Sequence, residues 1–125
     1  GSIPIFNFKF LRINRMLTWE EFEKVEMRIG TILEVNDFPE ARKPAYQLII
    51  DFGDEIGIRK TSAQITKRYS KDVLIGKQIV AVINFPKKQI GKFNSECLVL
   101  GSVGEENDIV LLTSDVKVAN GLRIG

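Results

Sequence analysis

Three short stretches of this sequence set cations beside amide side chains. Arg59 and Lys60 precede Gln64, Lys67 and Arg68; Asn84 precedes Lys87, Lys88, Gln89 and Lys92; Arg42 and Lys43 tip a separate loop. Clustered lysines and arginines neutralise phosphates, while amides and hydroxyls read base edges and ribose 2′-hydroxyls. The chemistry open to these residues is anion binding rather than bond breaking. The chain has no histidine, which removes the commonest general base, the triads built on it and most zinc sites. Its single cysteine, Cys97, lies in the apolar run Glu96-Cys97-Leu98-Val99-Leu100 and reads as a small buried hydrophobe, not a nucleophile. No Walker-type phosphate loop occurs, and Glu105-Glu106-Asn107-Asp108 reads as a solvated turn. We expect no enzyme, no cofactor and no metal.

The formal net charge of +2 conceals a segregated pattern. Residues 59–92 carry nine bases and one acid, a block of +8, whereas residues 16–58 sum to −6 and residues 93–125 to −3. A basic block of this kind points to an anionic partner, unless nearby acids neutralise it on a solvated face.

These cations need elements to hold them. The 125 residues make one domain, and 44% of them are apolar, enough for a core. No apolar run approaches the roughly 20 residues of a membrane helix. One cysteine allows no intrachain disulfide and suits a reducing compartment, so we expect a cytoplasmic protein. Gly1-Ser2 reads as an expression remnant and Met16 as a start, so residues 1–15 are expected to be a tag- or leader-derived arm and residues 16–125 the domain.

Thr18-Trp19-Glu20-Glu21 is a capping box. Trp19, Phe22 and Val25 give the short helix after it one apolar face, expected to lid the core. From Met27 the odd positions through Val35 alternate as one strand face, with Gly30 permitting a bend or bulge. Pro39 and Pro44 break this strand with a stiff loop. A second strand spans Tyr46 to Phe52, with Leu48, Ile50 and Phe52 on one face, and a third spans Ile58 to Ala63. Gln64 to Lys77 reads as a partly helical insert. The run Ile79-Val80-Ala81-Val82-Ile83 suits a fourth strand buried on both faces. A basic turn, Lys87 to Lys92, leads to strands at Glu96–Leu100 and Ile109–Leu112. Phe85 and Phe93 flank that turn and are expected in the core. With no alternating βαβ rhythm, the expectation is an all-β, five-stranded Greek-key barrel of OB type with an N-terminal helix, a helical insert after strand three and a C-terminal strand extension.

Several segments resemble a known family. Glu26-Met27-Arg28-Ile29-Gly30-Thr31-Ile32 resembles the opening strand of the stand-alone bacterial tRNA-binding domain. Phe38-Pro39-Glu40-Ala41-Arg42-Lys43-Pro44-Ala45-Tyr46 is similar to the following loop in the CsaA-like branch. So are Thr61-Ser62-Ala63-Gln64-Ile65-Thr66, Val82-Ile83-Asn84-Phe85-Pro86 and Ile90-Gly91-Lys92-Phe93-Asn94-Ser95-Glu96. The resemblance covers about residues 18–125. It implies an OB-fold extended at both ends, a two-fold homodimer, tRNA binding by shape and, in the CsaA-like branch, preprotein binding during export. It puts Thr61 to Gln64 on a strand-three signature, and Asn84, Lys88, Ser95 and Glu96 on a signature tied to RNA contact. Where relatives often carry a methionine after the Ser-Glu pair, this chain has Cys97-Leu98.

Two functions follow as expectations. In the first, a groove bearing Arg42, Lys43, Lys60, Gln64, Lys67, Asn84, Lys87, Lys88, Ser95 and Glu96 binds tRNA or another structured RNA. In the second, an exposed apolar patch takes unfolded preproteins; the candidates are Phe38, Ile56, Ile58 and the segment Ile5-Phe6-Asn7-Phe8-Lys9-Phe10.

Overall fold

The computed structural model describes residues 15–125; most of the expected arm, including Ile5 to Phe10, lies outside them. The chain order is α1 (Trp19–Lys24), β1 (Met27–Asp37), β2 (Tyr46–Asp51), β3 (Ile58–Ala63), α2 (Lys71–Leu74), β4 (Gln78–Val82), β5 (Lys88–Ile90), β6 (Phe93–Ser95), β7 (Leu98–Val99), β8 (Gly101–Val103), a 3-10 turn (Glu105–Asn107) and β9 (Ile109–Leu111). Five strands form one antiparallel sheet in the order β3-β2-β1-β4-β7. The sheet curls until its edges meet: Glu96 N–H donates to the Lys60 carbonyl at 2.8 Å, and β3 lies against β6 and β7. The result is a nearly closed OB-type barrel, with the small β5–β6 and β8–β9 hairpins outside it.

The barrel fills with the residues that strand alternation selects. Leu48, Ile50 and Phe52 are fully buried on one face of β2 and its end, as expected. Ile79 to Ile83 are all buried, so β4 is covered on both faces. The pattern of β1 departs from strict alternation. Its register with β2 slips between Ile32 and Glu34, leaving Leu33 as an extra residue. Ile32 and Val35 therefore both turn inward, while Leu33 is half exposed. Gly30 is not the bulge; a Cβ there would stand 2.6 Å from the Ile50 side chain and 2.7 Å from the Phe52 ring. Its lack of a side chain leaves that space to the Ile50 and Phe52 side chains of the neighbouring strand segment.

The capping box forms: Thr18 Oγ1 accepts from the Glu21 N–H at 3.1 Å, and Glu21 Oε1 accepts from the Thr18 N–H at 3.3 Å. The stripe on α1 does not lid the core. Trp19 is 82% exposed and Val25 40%. The helix is only six residues long, and none of them is buried. Lys87 to Lys92, expected as a turn, opens the β5–β6 hairpin, in which Lys88 pairs with Ser95. The strand expected at Glu96–Leu100 shrinks to β7.

The C-terminal segment returns to β1. Ile29 N–H donates to the Leu122 carbonyl at 3.0 Å, and Ile124 N–H to the Met27 carbonyl at 2.9 Å. The Gln78 amide clasps Val118 from both sides, donating to its carbonyl at 2.7 Å and accepting from its N–H at 3.1 Å. No described helix is long and apolar enough to cross a membrane.

Candidate nucleic-acid interface

The end of β3 alternates, and this sets up a cleft. Thr61 points into the barrel and is fully buried, while Ser62 faces outward. Ser62 and the residues after it, Ala63 to Ile65, form one wall of a cleft of ≈ 520 Å³. Phe85, Pro86 and the β5–β6 hairpin form the second wall, and β7, β8 and Asn107 complete it. Three of the ten expected RNA-binding residues, Gln64, Lys88 and Ser95, line this cleft.

Ser95 is held in place. The Thr61 hydroxyl donates to the Cys97 carbonyl at 2.6 Å, which leaves its oxygen to accept from Ser95 Oγ at 2.7 Å. Ser95 Oγ in turn accepts from the Ser62 N–H at 3.3 Å. Cys97 is buried beneath this network, and burial pushes its thiol up to about 11, against the opposing effect of the Thr61 hydrogen bond. It is a packing residue, as expected.

A second hollow of ≈ 340 Å³ adjoins the first and shares Gln64 and Asn107 with it; Lys43, Pro44, Thr66, Lys67 and Glu106 line the rest. Lys88 and Ser95 thus line one hollow and Lys43 and Lys67 its neighbour, with Gln64 between the two. Within the basic block, acids from elsewhere in the chain neutralise four of the nine cations: Lys67 by Glu106 at 3.5 Å, Arg68 by Asp108 at 2.8 Å, Lys71 by Asp37 at 2.9 Å and Lys87 by Glu96 at 3.7 Å. Arg68 grips Asp108 with two parallel bonds, Nε to Oδ1 at 2.9 Å and Nη2 to Oδ2 at 2.8 Å. This hydrogen bonding holds the Asp108 carboxyl below its ordinary range.

The remaining candidates have other duties. Lys60 lies over the Phe93 ring at 5.2 Å, a cation–π contact. Glu96 uses one carboxylate oxygen on the Lys60 N–H at 3.0 Å and the other on Lys87. Asn84 ties α1 to the barrel, donating to the Lys24 carbonyl at 2.6 Å and accepting from the Glu26 N–H at 3.0 Å. Arg42 is exposed on its loop and lines neither hollow.

The apolar candidates divide as well. Phe38 is only 5% exposed because its ring packs on Phe93 at 5.2 Å, so it offers no patch. Ile56 packs against the core, and Ile58 alone is exposed. Phe85 corrects the sequence in the other direction: beyond the end of β4 at Val82, it is 56% exposed in the cleft wall. Tyr46 and Tyr69 are not free stacking platforms. The Tyr46 hydroxyl donates to the Tyr69 carbonyl at 2.8 Å, and the Tyr69 hydroxyl accepts from the Leu111 N–H at 3.0 Å.

Sequence reading missed Val103 and Asn107 as cleft residues. Asn107 stands in the acidic turn that gave only a solvation signal, and Val103 gave none. Among the described residues, no three potential metal ligands gather.

A family model described as "Putative tRNA binding domain" matches residues 27–123. The methionine–tRNA ligase of Thermococcus onnurineus is 35% identical over 106 residues, 85% of this chain but 14% of that protein. The chain thus spans only a small part of the curated relatives it matches. The crystal structure of the chaperone CsaA from Bacillus anthracis str. Ames shares 51% identity at a TM-score of 0.84, covering 88% of this chain and 99% of that one. The CsaA chaperone protein from Picrophilus torridus shares 52% at 0.82, covering 88% and 100%.

Proposed function

Because the chain belongs to the family of tRNA-binding domains, in its CsaA-like branch, we propose that it binds tRNA in the depression between β3 and the β5–β6 hairpin, without catalysis. The observation that carries this reading is the convergence of Gln64, Lys88 and Ser95 on one cleft, with Lys43 and Lys67 in the hollow beside it. Lysines along a groove neutralise backbone phosphates, and the held Ser95 hydroxyl and the exposed Gln64 amide between them suit ribose and base edges. Such binding follows RNA shape more than sequence. Electrophoretic retardation of tRNA at rising salt tests it. Binding should fall steeply with salt, because each neutralised phosphate releases counterions. Absence of retardation at low salt overturns the proposal.

A second reading is export-related: the same cleft holds an extended segment of an unfolded preprotein. What favours it is the apolar wall, where Phe85 is 56% exposed, Val103 76% and Leu98 48%. An exposed apolar groove of this kind suits a peptide. Binding of this type should resist salt, so suppression of client aggregation that vanishes as salt rises counts against it.

The reading includes a homodimer. Trp19 (82% exposed), Met16 (76%), Val116 (66%) and Leu122 (51%) stand unpartnered, and Arg123 bonds the Glu23 carbonyl at 2.6 Å, holding the C-terminal segment beside α1. A second copy would cover these side chains. A solution mass near the 14.1 kDa of one chain refutes it.

A further inference from the structure

The acidic turn between β8 and β9 faces the cations just after β3. Lys67 Nζ stands 3.5 Å from both the carboxylate and the backbone carbonyl of Glu106. One residue on, Arg68 forks onto Asp108. The turn is closed on itself: Gly104 N–H donates to the Asp108 carbonyl at 2.9 Å, and Asp108 N–H to the Glu105 carbonyl at 3.1 Å. Glu106 and Asn107 are the two described non-glycine residues with positive φ, at 54° and 60°. Consecutive left-handed residues are unfavourable without a glycine, so the geometry that presents Glu106 to Lys67 is held by the hairpin around it. Glu106 also lines the hollow shared with Lys43 and Gln64.

We propose that Glu106 and Asp108 are specificity-determining residues that act as built-in competitors of RNA phosphates for Lys67 and Arg68. The inference rests on the RNA-binding reading above and deepens it. A carboxylate on an arginine fork stands where a phosphate oxygen pair would stand. An RNA gains these two cations only by displacing the two carboxylates. An apolar segment in the neighbouring cleft has no such exchange to make. The turn therefore weakens polyanion binding while leaving the apolar wall untouched, and it shifts the balance between the two kinds of occupant.

The test is the tRNA dissociation constant of the full chain at fixed salt. The double variant Glu106→Gln, Asp108→Asn is compared with Asp54→Asn, Glu55→Gln, which makes the same charge change at the β2–β3 turn, the opposite end of that ladder from Ala63. Exposed ion pairs are individually weak, so the first pair should tighten tRNA binding by about fivefold beyond the second. In a background of Lys67→Gln, Arg68→Gln, that extra gain should disappear. Glu106→Gln alone, whose only described side-chain partner is Lys67, guards against a folding defect in the double variant. A gain no larger than the control overturns the inference, and so does a gain that persists without Lys67 and Arg68. If wild type retains no tRNA at all, both this inference and the RNA-binding reading fall. If wild type binds and only the predicted excess is missing, this inference falls alone.

Discussion

Lys60 and Glu96 are bonded to each other twice across the barrel seam. Glu96 N–H donates to the Lys60 carbonyl at 2.8 Å, and Lys60 N–H donates to Glu96 Oε1 at 3.0 Å. A side chain thus completes a ladder that backbone alone does not close, and a residue of the RNA-contact signature acts as part of the wall. Glu96→Ala leaves a half-buried N–H unpaired and should destabilise the fold by about 1–3 kcal/mol. Glu96→Gln, which keeps an acceptor, should lose clearly less. Urea denaturation of the two variants decides this; equal losses contradict the seam role.

Asn84, two residues past the C-terminal end of β4, makes the same point. Its amide bridges Lys24 and Glu26. Asn84→Ala should speed hydrogen exchange at the Glu26 amide and lower stability by about 0.5–1.5 kcal/mol. Its tRNA affinity should stay within twofold of wild type. A large affinity loss with unchanged exchange would show direct RNA contact instead.

Gly30→Ala should be severe for a single methyl. The new Cβ would stand 2.6 Å from Ile50 and 2.7 Å from the Phe52 ring, both fully buried. Overpacking of this kind costs about 1–3 kcal/mol. Thermal unfolding should register a drop of several degrees, and an unchanged midpoint would refute the tight packing of Ile50 and Phe52 against Gly30.

The Cys97 thiol supplies a pH dependence. Its ordinary value of 9.0 is pushed up to about 11 in the folded protein, chiefly by burial. Between those values the native state holds a proton that the unfolded state releases. Stability from this group is therefore intact below about pH 9 and falls as pH rises toward about 11. The urea midpoint of wild type should drop over this window more than that of Cys97→Ala. Native Cys97 should also resist alkylation at pH 8 and react once unfolded.

The strands were readable wherever one face alternates or both are buried. Leu48, Ile50 and Phe52 alternate, and Ile79 to Ile83 form a continuous apolar run. The bulge at Leu33 was not readable, because it belongs to the register between β1 and β2 and not to β1 alone. Nor was the pairing of the basic block. Lys67 and Arg68 meet acids about forty positions away, and no local pattern encodes such a distance. The exposure of Trp19 was hidden for a related reason: an apolar stripe states that a face wants cover, not that its own chain supplies it. Gln64, Lys88 and Ser95 were found by residue type and resemblance, and their meeting in one cleft is a property of the barrel.

Lys88 and Lys77 belong to the same basic block and are both exposed, but only Lys88 lines the cleft. The dissociation constant of tRNA against salt concentration, measured for wild type, Lys88→Glu and Lys77→Glu, therefore tests the location of binding with charge held equal. Lys88→Glu should weaken binding markedly and flatten the salt dependence by about one counterion or more, while Lys77→Glu stays near wild type. Equal losses in the two variants, or none in either, would contradict the assignment of this cleft.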